Sequence, residues 1–170
     1  MVEKKQVLYD LRATYSGPFL VEDFYAEVDS WAREKGYDKE HKKKLEHVTK
    51  NGKKMQWIVE INSHLDDLHH GVVVLNALLD NVKEVVVRKD GKKIRVNSGD
   101  IFININGFIQ SHVHGSFYQV KPVYYFIRAL IDKFIYNFWS DRWDGAVNAD
   151  ARELYKRINS FFNLQRYKYA

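Results

Sequence analysis

Val7, Tyr9, Leu11, Ala13 and Tyr15 alternate with mostly polar neighbours, the period of a half-buried strand, and predict a first strand over 6–15. Ser16-Gly17-Pro18 interrupts the alternation, and Pro18 suits the first turn of a helix. Leu20, Phe24, Val28 and Trp31 then recur at spacings of four, four and three, one apolar helix face ending near Gly36.

From Tyr37 to Ile109 the period moves towards two. Asn51-Gly52 and Asp90-Gly91 are preferred dipeptides of two-residue hairpin turns, whose central positions both need φ > 0. The first joins a strand with Leu45 and Val48 to one with Met55, Trp57, Val59 and Ile61. The second joins Val85-Val86-Val87 to Ile94 and Val96. Val72–Leu75 reads as a further strand, and Ile101, Ile103 and Ile105 as another after Asn97-Ser98-Gly99. The sum is a curved, mostly antiparallel sheet of about six or seven strands.

Helical spacing returns after Lys121-Pro122. Val123, Phe126, Ile127, Leu130, Ile131, Phe134, Ile135 and Phe138 form a broad stripe, widened by Tyr124, Tyr125, Tyr136 and Trp139. A helix so apolar over 123–139 needs cover on more than one side. A homodimer partner, a ligand or the last helix would supply it. Trp143-Asp144-Gly145 reads as a loop, and Ala151, Leu154, Ile158, Phe161 and Phe162 as a last short helix. No linker, low-complexity tract or repeat divides the chain, so 1–170 reads as a single α+β domain.

This element order is similar to that of helix-grip proteins, in which a curved sheet wraps a long helix. FIRALIDKFIYNFW, ARELYKRINSFFNLQRY and the DGKK hairpin before them resemble the C-terminal half of small uncharacterised archaeal proteins with no assigned activity. The resemblance spans roughly 85–167 and implies architecture only. It carries no catalytic residues.

Composition narrows the function classes. The 170 residues are 45% hydrophobic and 15% aromatic, which suits a folded domain rather than a disordered chain. The chain has no cysteine, so disulfides, thiolate metal sites and thiol nucleophiles are excluded. The start resembles no signal peptide, and no apolar run nears the ~20 residues of a bilayer span. The expectation is therefore a cytoplasmic protein without membrane association.

A net charge of +5 points towards polyanions, and its distribution is more telling. Residues 39–54 hold seven lysines against Glu40 and Glu46, while 83–100 hold six basic residues against three acids. Residues 152–168 hold five basic residues against Glu153, whereas 20–34 hold five acids against Arg33. Lysines at hairpin tips reach phosphates and release counterions, although such lysines also keep sheets soluble. The candidate nucleic-acid-binding set is Lys42, Lys43, Lys44, Lys50, Lys53, Lys54, Lys89, Lys92, Lys93, Arg95, Arg152, Lys156, Arg157, Arg166 and Lys168.

Catalytic chemistry has less support. His64-Leu65-Asp66-Asp67-Leu68-His69-His70-Gly71 is rich in imidazole and carboxylate. With His112 and His114 it supplies candidate metal ligands in His64, Asp66, His69, His112 and His114. It lacks the helical i, i+4 spacing of hydrolytic metal motifs, and Asp-Asp before a glycine also suits a plain strand connection. Asp141, Asp144, Ser111 and Ser116 form no recognisable acid/base or nucleophile arrangement. No glycine-rich phosphate loop is present.

The sequence thus favours a non-catalytic protein without cofactor that engages RNA or a ribonucleoprotein, the ribosome included, through its basic hairpins and C-terminus. A helix-grip carrier of a small apolar or aromatic ligand is the alternative, and a metal-dependent enzyme ranks third.

Overall fold

A computed structural model describes residues 2–112 and 137–169. The elements are β1 (Val2–Phe19), α1 (Val21–Lys35), β2 (Asp38–Thr49), β3 (Gly52–His64), β4 (His69–Lys89), β5 (Lys92–His112) and α2 (Asn137–Lys168). The strands form one antiparallel sheet in the order β1-β5-β4-β3-β2.

Among the described residues five strands replace the six or seven expected, because two apparent strand breaks lie inside longer strands. Val72–Leu75 and Val85–Val87 belong to one 21-residue strand, β4. Its register shifts between Asp80 and Lys83, where Asn81 takes φ 53°. A bulge of this kind inserts residues and turns the strand without ending it. Asn97-Ser98-Gly99 likewise stays inside β5, paired with Phe19, Pro18 and Gly17. Pro18 is therefore in β1 rather than at a helix start.

Helix α1 follows the apolar spacing. Val21, Phe24, Val28, Trp31 and Ala32 are buried, and Gly36 ends the helix in the left-handed region at φ 69°. The amides of Gly36 and Tyr37 bond back to the carbonyls of Arg33 and Ala32, a C-cap that satisfies otherwise orphaned acceptors.

The last helix is not short. α2 runs for 32 residues and passes through Trp143-Asp144-Gly145. A glycine in mid-helix costs only about 1 kcal/mol against alanine, and Asp144 is fixed from outside by Lys5 at 2.8 Å. Val147 lies against two strand glycines. A Cβ built on Gly71 would come within 2.8 Å of it, and one on Gly107 within 3.2 Å. The long apolar helix expected at 123–139 falls mostly outside the described residues; its last three positions, 137–139, belong to α2.

Both helices cover one face of the sheet. Alternate residues Trp57, Val59, Ile61, Leu75, Ala77, Leu79, Ile101, Ile103 and Ile105 pack there against Phe24, Val28, Trp31, Leu154, Ile158 and Phe162. Tyr15 stacks on Phe162 at 4.8 Å, and Phe24 meets the edge of Trp57 at 5.8 Å. Among the described residues no helix is long and apolar enough to cross a membrane.

Candidate nucleic-acid interface

β3 leaves β4 at Val82, and β1 leaves β5 at Asn97. Beyond these points β4 and β5 pair only with each other, from Val85↔Val96 out to Lys89↔Lys92. Five residues on each strand make an arm of roughly 15 Å at the strand rise. Asp90 (φ 49°) and Gly91 (φ 76°) form its turn, as the Asp-Gly dipeptide predicts.

This arm carries Arg88, Lys89, Lys92, Lys93 and Arg95, and Lys83 stands at its base opposite Ser98. None of the six makes an ion pair with a described acid. Arg88 directly faces Lys93, and Lys89 directly faces Lys92. Like charges opposed across a strand pair are unfavourable, so the tip keeps a positive excess, four basic residues against Asp90 in the turn. Lys83 and Arg88 complete the cluster. The charge run marked them in the sequence, but the alternation that places Arg88 beside Lys93 becomes legible only with the register.

The first hairpin differs. Lys53 binds Glu46 at 2.8 Å, Lys54 binds Asp80 at 3.4 Å, and Lys42 binds Glu40 at 2.7 Å and Glu60 at 3.4 Å. Hydrogen bonds that Lys53 and Lys42 donate to Glu46 and Glu40 hold both lysines above the ordinary lysine pKa. Lys44 lies over the Tyr25 ring at 4.6 Å, while Lys43 and the tip residue Lys50 are exposed without an ion pair. The turn also departs from expectation: only Gly52, at φ 133°, is left-handed. Its tip rests on the base of the arm, since a Cβ on Gly52 would lie 3.0 Å from the Asn81 carbonyl carbon.

The C-terminal helix contributes unevenly. Arg157 is clasped by Glu27 and Glu34 of α1. Its hydrogen bond lowers Glu34 to about pKa 2, aided by Ser30. The same bonds raise Arg157 above its ordinary value. The acidic face of α1 thus meets α2. Arg152 bonds Asn148, and Lys156 is exposed on the helix surface. Arg166 lies 5.7 Å from the Tyr15 ring, at the sheet end that carries the hairpins, and Lys168 lies over Tyr169 at 5.2 Å.

The histidine-rich stretch lies at the opposite end. Asp66 caps the β3–β4 turn, accepting from the Leu68 and His69 amides at 2.8 Å and from His69 Nδ1. Burial alone would raise the Asp66 pKa, but these bonds prevail and lower it. The rings of His64 and His70, and of His70 and His112, lie 5.2 Å apart. His70 therefore joins the row where His69 was expected, because neighbouring residues of a strand take opposite faces. Residue 114 lies outside the described residues. Among those described, no three His, Cys, Asp or Glu are grouped to hold a metal.

The carrier alternative places its cavity beneath the 123–139 helix, of which 123–136 lie outside the described residues. The two described helices leave their side of the sheet filled by the aromatic core. No family model matches this chain, and neither a curated protein nor a solved structure does so.

Proposed function

We propose that the protein is a non-catalytic, cytoplasmic RNA-binding protein whose β4–β5 arm grips the phosphate backbone. A ribonucleoprotein such as the ribosome would present the same phosphates. The observation that carries this reading is the arm itself: six basic side chains on it and at its base without acidic partners among the described residues, two cross-strand like-charge pairs, and no other described strand alongside Val85–Lys89. A polyanion would relieve that repulsion. Lys50 and Arg166, at the same end of the sheet, extend the surface, whereas Lys42, Lys53, Lys54 and Arg157 are occupied by local acids and contribute little.

The binding expected is electrostatic. Neutralising about four phosphates of a single strand gives a slope near −3 in log affinity against log salt. The direct test is purification from cells at low salt. Ribonuclease-sensitive RNA should accompany the native chain and be stripped by salt, and Lys89→Glu/Lys92→Glu/Lys93→Glu should purify without it. Native protein free of RNA at low salt would contradict the reading.

A further inference from the structure

The sheet face opposite the two described helices carries an exposed aromatic, Phe102. Thr14, Phe102, Leu78, Gln56 and Leu45 are successive cross-strand partners, one from each strand in spatial order. Phe102 is 52% exposed, Leu78 45% and Leu45 54%, although Phe102 sits between buried Ile101 and Ile103 and Leu78 between buried Ala77 and Leu79. The adjacent row is Arg12, Asn104, Asn76, Ile58 and Lys43. Two grooves flank the aromatic and share Phe102 and Leu78. One, of about 580 Å³, reaches Gln56 and Leu45; the other, of about 330 Å³, reaches Arg12, Asn76 and Asn104. Asn76 Oδ1 is buried there without a hydrogen-bond partner.

We infer that this face binds unpaired bases, making the RNA partner of the preceding section single-stranded at the point of contact. A base offers a flat apolar surface with a polar edge, and this face offers an exposed ring between two grooves with amides beside it. Stacking on Phe102 tolerates any base, while the Gln56 amide supplies a donor and an acceptor for an unpaired Watson–Crick edge. A duplex hides that edge and offers no free face to stack. Charge complementarity sets the occupant as nucleic acid rather than lipid or a second copy, because the same sheet continues into the unpaired cationic arm. Asp80 and Asp100, directly paired in the row between Phe102 and the arm, are engaged by Lys54 at 3.4 Å and Ser16 at 2.5 Å. They repel a phosphate backbone, which therefore crosses this face on the Lys43 side of the ring, where Arg12 is already paired with Asp10 at 2.5 Å.

The inference rests on the RNA reading, and one experiment separates them. Fluorescence anisotropy of the full chain is measured with a labelled mixed-sequence ten-nucleotide RNA and with its duplex. The single strand should bind at least tenfold more tightly than the duplex. Phe102→Ala should weaken the single strand about tenfold, within what base–aromatic stacking supplies, and leave the duplex unchanged. Phe102→Leu, which keeps apolar bulk without a ring, should behave like alanine, and Phe102→Tyr like the native chain. Asp100→Asn should tighten single-strand binding. Equal affinity for strand and duplex, or single-strand binding indifferent to loss of the ring, overturns the stacking face and leaves the arm standing. Absence of binding to both RNAs overturns the arm as well.

Discussion

The two hairpins share nearly the same turn sequence, Lys50-Asn51-Gly52-Lys53-Lys54 and Lys89-Asp90-Gly91-Lys92-Lys93, yet they differ electrically. The first lies within the sheet, flanked by β4, and acids from β2 and β4 reach two of its three lysines. The second extends past its neighbours, so its cations find only one another. The lesson concerns availability. A lysine count measures charge, and only strand register decides whether an acid stands opposite it.

The sharpest way to break that comparison is to reverse the arm. Arg88→Glu/Lys89→Glu/Lys92→Glu/Lys93→Glu should lower RNA affinity about a hundredfold at low salt, since each lost phosphate contact also forfeits counterion release. Filter binding with the folded variant checks it.

Next come the turns. Gly52→Ala combines left-handed backbone at φ 133° with a Cβ 3.0 Å from backbone of Asn81 and Val82, and should cost about 2 kcal/mol in urea denaturation. Gly91→Ala has open space around it at φ 76° and should cost about 1 kcal/mol. Equal losses would show that the first tip does not rest on the arm.

A smaller effect is expected on acidification. The Arg157 hydrogen bond depresses Glu34 from 4.5 to about 2. Its stabilising contribution is present above about pH 4.5 and fades as the pH falls towards 2. Glu34→Gln should therefore flatten the melting-temperature curve across that window and change little near neutrality, because the side chain is solvent-screened. Smallest of all, Lys53→Gln/Lys54→Gln should alter RNA affinity less than twofold, as both lysines already hold acids. A large loss would put the first hairpin back into the interface.

Local signals in the sequence carried much of the architecture. The apolar face of α1, its glycine stop and the Asp90-Gly91 turn each follow from chemistry confined to a few neighbouring residues. The strand count did not, because a bulge at Asn81 and a turn look alike until the partner strand is known. Trp143-Asp144-Gly145 reads as a loop for a similar reason: the contacts that hold α2 together there, Lys5 to Asp144 and Val147 against Gly71 and Gly107, come from distant strands. For the site, the charge runs marked both hairpins but could not show that Glu27 and Glu34 claim Arg157. Phe102 was legible in part. Alternation with buried Ile101 and Ile103 puts it on the opposite face, while its row of cross-strand partners needed the register.

The account stands most directly on the salt dependence of RNA binding, measured for the native chain and for Lys89→Glu/Lys92→Glu/Lys93→Glu between 50 and 200 mM salt. It predicts a native slope near −3 in log affinity against log salt and a slope shallower by about two in the arm variant. Parallel slopes for the two proteins, or RNA binding indifferent to salt, would contradict it.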